Sequence, residues 1–249
     1  MLTILVPLGG HGKKFEERGY TFPKPLVEIQ GRPMIECVVE NLTPRMEHRF
    51  VFVCQNEHLR RYALGEVLQL VAPGSEVVAM RGDTAGALCT VLLASEWIDG
   101  DQELIVANGD QLIGFPLDDF VQRARERQVD GSLITFTSTH PKWSYALTDE
   151  AGAVRMVAEK RPISRHATVG IYYFRRGRDF TAAASRMLLK GARTGGEYFL
   201  SPVYNEMILE GHSIDIFSID NSQVISLATP EDVEKYQAAL QTTGRVHAS

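Results

Sequence analysis

At 249 residues with 44% hydrophobic side chains, the chain can bury a substantial core, and its length fits one domain or one domain with a small insertion. A formal net charge of -5, with acids and bases interspersed, supplies no basic stripe to neutralise a phosphate backbone, which argues against nucleic acid as a partner. Cys37, Cys54 and Cys89 are too far apart for a CxxC pair, a disulfide framework or a zinc knuckle. Free thiols in a reducing, cytoplasmic setting are expected, and the apolar Met1 to Leu8 stretch is too short to span a membrane.

Short β-branched runs alternate with longer periodic ones from the start. Thr3 to Pro7 reads as a strand, Pro33 to Leu42 as a helix, Arg49 to Cys54 as a strand and Glu57 to Val71 as a helix. Glu76 to Met80, a helix over Gly86 to Trp97 and a strand over Glu103 to Ala107 continue the alternation, the signature of β-α-β units on a largely parallel sheet. Beyond Asp110 a helix over Leu117 to Gln128 precedes strands at Ser132 to Thr137, Tyr145 to Thr148, Arg155 to Ala158 and Thr168 to Phe174. Strands in succession, with a turn at Asp149 to Gly152, predict a small antiparallel extension. Helices return at Asp179 to Lys190, Tyr198 to Glu210 and Pro230 to Gln241, and Val246 to Ser249 reads as a loose tail. The predicted fold class is α/β: a Rossmann-like, mixed but mostly parallel sheet flanked by helices, in a single domain over 1–245.

Pro7 to Phe15 follows the first strand directly, so Leu8, Gly9, Gly10, His11, Gly12 and Lys13 lie where a βα turn exposes backbone N–H groups to anionic oxygens. A plain tight turn explains the three glycines nearly as well. Lys13 and Lys14 add charge, and Lys24 is fixed between Pro23 and Pro25, an arrangement that suits a lysine whose position matters. Gly31-Arg-Pro-Met-Ile35 then turns into an amphipathic helix.

Gly10-x-Gly12-x-Lys14, followed by Lys24-Pro-Leu26 and Gly31-Arg-Pro-Met-Ile35, resembles the N-terminal signature of the sugar nucleotidyltransferases, the pyrophosphorylase group that makes NDP-sugars. The resemblance implies a GT-A-like nucleotidyltransferase fold with a nucleotide-binding half over 1–115 and an acceptor-binding half over 116–245. It assigns triphosphate binding to the glycine loop with Lys14, and phosphate chemistry during transfer to Lys24. Asp110, ending the apolar run Leu104 to Ala107 after Asn108 and Gly109, falls where the family holds Mg²⁺ between nucleotide phosphates; a strand-end turn former is the alternative. Thr84 and Gly86 match the segment that reads the nucleobase, with Thr84 as an ordinary helix N-cap the competing explanation. Glu159 and Lys160, then Thr168 and Gly170 on a Val-Gly-Ile-Tyr-like strand, match the acceptor site, and Glu197 is a further acceptor contact or a first-turn helix charge. Lys142 to Tyr145 reads as an aromatic packing cluster at the acceptor edge, and the histidines show no metal-ligand spacing.

Two positions depart from the family pattern. Lys14 stands where arginine is usual, keeping charge but losing the planar bidentate fork. Ser226 stands where an aspartate usually completes the metal site, leaving Asp110, with Asp220 and Asp215 as candidates by proximity alone. The expected reaction joins an NTP, CTP being favoured by the short chain, to a phosphorylated acceptor of a surface-polysaccharide pathway, with Mg²⁺ as cofactor and a homodimer as a compatible assembly. An NDP-sugar-dependent glycosyltransferase of the same architecture, or a non-catalytic nucleotide-binding homologue, are the alternatives.

Overall fold

A computed structural model describes residues 1–246. In chain order, β1 (Leu2–Leu8) leads through α1 (Lys13–Glu17), a 3-10 turn at Lys24–Leu26 and the hairpin β2 (Glu28–Ile29) and β3 (Arg32–Pro33) to α2 (Met34–Leu42). β4 (His48–Gln55), α3 (Asn56–Tyr62), α4 (Leu64–Val71), β5 (Glu76–Met80), α5 (Ala87–Leu92), α6 (Ser95–Ile98) and β6 (Glu103–Ala107) complete the first half. Then come β7 (Gln111–Ile113), α7 (Leu117–Glu126), β8 (Gly131–Thr137), β9 (Tyr145–Thr148), β10 (Val154–Ala158) and β11 (His166–Phe174). The chain closes with α8 (Gly177–Leu189), α9 (Val203–Leu209), β12 (Ile214–Ser218), β13 (Val224–Ser226) and α10 (Pro230–Val246). The expected tail at Val246–Ser249 falls at and beyond the last described residue.

One nine-stranded sheet runs through both halves. β1 pairs in parallel with β4 and β6, and β4 with β5. β11 then pairs antiparallel with β6 on one edge and β8 on the other, and β12 adds in parallel to β8. The first residues of β11 run past the end of β6 and pair instead with β9, which carries β10 as the antiparallel extension. The sequence of β1 shows why it is central: Leu2, Ile4, Val6 and Leu8 join the core on one face, Leu5 the core on the other. Pro7 is tolerated because pairing with β6 ends at Leu5, before its missing N–H could matter.

Helices cover both faces. Leu64, Leu68, Met34, Phe120 and Val233 bring α4, α2, α7 and α10 to one face, whereas Leu88, Ile98, Phe180 and Tyr204 bring α5, α6, α8 and α9 to the other. Three expected helices are shorter or divided. The 57–71 stretch breaks at Ala63, which adopts φ 51°. At 3.6 residues per turn buried His58 is roughly 120° out of phase with buried Leu64 and roughly 80° with buried Leu68, so one straight helix would not centre all three on the sheet. The 86–97 stretch divides where the Ser95 hydroxyl donates to the Leu92 carbonyl, competing with the helical bond. The 198–210 helix starts only at Val203, because Tyr198 is held by backbone bonds to Ala85 (2.8 Å) and Leu88 (3.1 Å). β12 was not expected; its apolar alternation is limited to Ile214 and Ile216 beside the buried charge of Asp215.

The three cysteines are free, and burial pushes the Cys54 thiol up to about 12. Among the described residues no helix is long and apolar enough to cross a membrane.

Tyr204 of α9 fastens the second half: its buried hydroxyl lies 3.0 Å from the Ser132 carbonyl of β8 and 2.9 Å from the Tyr173 carbonyl of β11. Tyr204→Phe is expected to destabilise the protein by about 1–2 kcal/mol, measured as a lower urea midpoint with unchanged slope.

Candidate functional site

The site forms at the carboxyl edge of the parallel strands. Past Leu8 the chain leaves the β1 ladder into the glycine loop, and Gly12, at φ 69°, turns it into α1. Gln55, the last residue of β4, donates its amide to the Gly9 carbonyl at 2.8 Å and the Gly82 carbonyl at 3.0 Å, fastening this loop to the one after β5. Gly109 follows β6, and a side chain there would strike Leu8 at 2.5 Å, so its absence lets the ends of β1 and β6 approach closely.

These loops enclose a cleft of about 630 Å³. Leu8, Gly9, Gly10, His11, Gly12 and Lys13 line it from the first loop, together with Thr84 and Gly86, and with Asn108, Gly109, Asp110 and Lys24. At the mouth, the His11 ring nitrogen and the Asp83 carboxylate meet at 2.6 Å. Thr84 is not an N-cap. Its hydroxyl donates to the Gly86 carbonyl at 3.0 Å and shares a 2.7 Å hydrogen bond with Thr90, while Gly86 itself precedes α5. Gly86 has φ 127°, and a Cβ there would run into the Tyr198 backbone. Glu197 also lines this first cleft, on a turn in which Thr194 and Glu197 exchange backbone hydrogen bonds around Gly195 and Gly196.

A second cleft of about 400 Å³ adjoins the first, sharing Ala87, Asn108 and Asp110. Glu159, Thr168 and Gly170 line it, as does Lys14, which faces away from the cleft lined by its neighbour Lys13. Lys160 is not part of this lining; its ammonium sits 4.5 Å from the centre of the Phe199 ring, which is. The Glu159 carboxylate accepts hydrogen bonds from Ser144 and, at 3.2 Å, from Ser201. Trp143 both lines the cleft and packs edge-on against Phe136 at 5.1 Å, with Lys142 over its face at 4.6 Å.

Lys24 lines the first cleft beside Asp110, which lines both. Its ammonium is ion-paired with the Asp110 carboxylate and lies 3.4 Å from the Ala228 carbonyl. The Asp110 carbonyl in turn accepts the Leu227 N–H at 2.7 Å, bringing the β13–α10 connection to the site. Of the acids considered in place of Ser226, Asp215 is buried and paired with Arg127 at 2.9 Å, and Asp220 caps the 3-10 turn at Asn221–Gln223. A third carboxylate reaches the second cleft beside Asp110 and Glu159: Asp232, which accepts from the Ser226 hydroxyl at 3.0 Å. Among the described residues no group of three metal-ligating side chains occurs. A donor set of one or two carboxylates suits a hard cation that arrives with phosphate oxygens and water, so Asp110, with Asp232 nearby, fits Mg²⁺ carried by a nucleotide.

Residues 4–203 match the nucleotidyl transferase family. The chain belongs to that family. It is 25% identical over 177 residues to the mannose-1-phosphate guanylyltransferase catalytic subunit beta of Drosophila pseudoobscura pseudoobscura, covering 68% of this chain and 47% of that one. The corresponding Danio rerio subunit is 25% identical over 180 residues, so the chain spans about half the length of the curated relatives it matches. Among solved structures, a nucleoside-diphosphate-sugar pyrophosphorylase from Vibrio cholerae superposes with a TM-score of 0.80 at 26% identity, covering 94% of this chain and 99% of that one. An inositol-1-phosphate CTP transferase from T. maritima shares the fold at a TM-score of 0.67 and 16% identity, over 92% of this chain and 90% of that one.

Several residues that support or line the clefts gave little signal in the sequence. Gln55 ends a strand at the same sheet edge as Asp110, a position that points to a site by topology alone. Ser144, Ser201 and Asp232 are brought in by tertiary contacts. Gly86→Ala introduces a Cβ at a positive φ against the Tyr198 backbone. Destabilisation of about 2–4 kcal/mol is expected, with weaker binding of a fluorescent NTP analogue, read by melting and by titration.

Proposed function

We propose that this chain transfers the nucleotidyl group of an NTP to the phosphate of a small phosphorylated metabolite, a sugar phosphate, releasing pyrophosphate. The observation that carries this reading is the Lys24–Asp110 pair standing where a glycine-walled cleft meets a hydroxyl-rich one. A phosphate oxygen of the acceptor forms a bond to the α-phosphorus as the bond from that phosphorus to the β-phosphate bridging oxygen breaks, and its electron pair leaves with pyrophosphate. Such a displacement needs alignment and charge neutralisation more than covalent help.

The glycine loop would take the triphosphate through its backbone N–H groups, with Lys13 beside it. Thr84 and Gly86 would face the nucleobase. Lys24 would turn from Asp110 toward the phosphates, and Lys14 would meet the acceptor phosphate from the second cleft. Glu159, oriented by Ser144 and Ser201, would accept from acceptor hydroxyls, with Thr168 and Gly170 forming the wall beside it. Glu197, lying in the first cleft, would contact the nucleotide side of the complex, and Lys160 would contribute through Phe199. Mg²⁺, held by Asp110 and the nucleotide, would supply charge neutralisation at the phosphates when bound. CTP is the first nucleotide to test, and surface-polysaccharide assembly is the expected consumer of an NDP-linked product.

Pyrophosphate release is measured over four NTPs and a panel containing glucose 1-phosphate, mannose 1-phosphate, 2-deoxyglucose 1-phosphate and inositol 1-phosphate. Turnover with at least one pair is expected; NTP binding without turnover for any pair would overturn the reading, and sugar transfer from an NDP-sugar would replace it. Lys24→Ala is expected to lower kcat/KM by about a hundredfold or more while the circular dichroism spectrum is unchanged. Light scattering on the same preparation tests for a homodimer.

A further inference from the structure

The side chains of the first cleft are paired against one another. Three basic groups line it, His11, Lys13 and Lys24, together with three carboxylates, Asp83, Asp110 and Glu197. Lys24 is held by Asp110, and His11 Nε2 meets Asp83 Oδ1 at 2.6 Å, so that among the described residues Lys13 alone of the three basic groups has no carboxylate partner. A cleft balanced in this way repels a polyanion unless its carboxylates give way. On the proposed reading Mg²⁺ draws Asp110 to itself. Asp83 has no such substitute partner and must leave His11 for solvent.

The pair is suited to that exchange. The Asp83 side chain is 79% exposed and that of His11 38%, and an ion pair so open to water is weakly held. The two loops do not depend on it: the Gln55 amide ties them together through the Gly9 and Gly82 carbonyls, each within two residues of one partner. Release of Asp83 therefore asks for a side-chain rotation and no movement of backbone. The donor is also in place. An ionised carboxylate only accepts hydrogen bonds, so the proton sits on Nε2 and is directed at Asp83. A phosphate oxygen accepts the same proton without a change of tautomer. Because His11 stands between Gly10 and Gly12, in the loop that would take the triphosphate, the phosphate that replaces Asp83 belongs to the nucleotide and not to the acceptor.

Resting on the nucleotidyl-transfer reading, we propose that His11 is a side-chain ligand of the nucleotide's phosphate tail and that Asp83 is a built-in competitor for it, displaced as the NTP binds. Asp83 holds affinity for the polyphosphate below what the loop would otherwise give, and retakes the imidazole as pyrophosphate leaves.

The test is one of binding and does not need turnover. Dissociation constants for the four NTPs and for inorganic tripolyphosphate, with Mg²⁺ present, are measured by calorimetry for wild type, His11→Gln, Asp83→Asn and the double variant. Asp83→Asn is expected to tighten binding of the NTPs and of tripolyphosphate by about three- to tenfold, and His11→Gln to weaken both by a similar factor. In the His11→Gln background, Asp83→Asn changes affinity by less than about twofold. The opposite signs are the decisive readout, because loss of a merely structural clasp weakens binding in both single variants and lowers both melting temperatures. Effects of the same sign, no gain in Asp83→Asn, or a gain that persists in full without His11 overturns the proposal, while NTP binding by wild type leaves the nucleotidyl-transfer reading standing. A wild type that binds neither NTP nor tripolyphosphate overturns both.

Discussion

The ion pair between Lys24 and Asp110 joins positions 86 residues apart in sequence, and the geometry of both clefts follows from it. Lys24 is delivered by a stiff turn between prolines, Asp110 by the end of a central strand. The Asp110 carbonyl and the Lys24 ammonium then receive the β13–α10 connection, through the Leu227 N–H and the Ala228 carbonyl. With side-chain exposures of 20% and 23%, the two charges neutralise one another in partial shelter from water. On the proposed reading an incoming phosphate would exchange one counter-charge for another, and the pairing leaves no sheltered lysine bare.

Both clefts open at the same sheet edge because the strand order reverses direction there. β6 ends at Ala107 while β11 arrives antiparallel from beyond it, so Asn108 and Gly170 meet, with the Asn108 N–H donating to the Gly170 carbonyl at 2.9 Å. One side of this contact faces the glycine loop and the other faces Glu159 and its two serines. The two clefts share Ala87, Asn108 and Asp110 at this contact.

Much of this arrangement was legible in the sequence, where local chemistry and topology agree. The apolar run ending in Asp110 could only end at the edge of the sheet, and Lys24 was marked by its prolines. The direction taken by a side chain was less legible. Lys13 and Lys14 are adjacent, yet the left-handed Gly12 starts a helix whose successive residues diverge, sending one into each cleft. Glu197 reaches the first cleft through a two-glycine turn, a shape that spacing does not specify. Asp232 was hidden for a related reason: its approach depends on β13 pairing with β7, which sets Ser226 opposite Gln111. The helix divided at Ala63 answers to packing against the sheet and the one divided at Ser95 to a local hydroxyl-to-carbonyl bond, and both override periodicity over short spans.

β11 is the strand through which the two halves share one sheet, and it is made late. Until residues 166–174 leave the ribosome, the edge of β6 that it will cover presents unpaired backbone groups. β7 to β10 must first be synthesised and set aside, so closure of the sheet is a long-range event that sets the pace of folding. A chain interrupted at the boundary between the halves would carry an open, apolar strand edge and would tend to associate with its own kind. The strand that lines the second cleft with Thr168 and Gly170 thus also protects the nascent protein from aggregation.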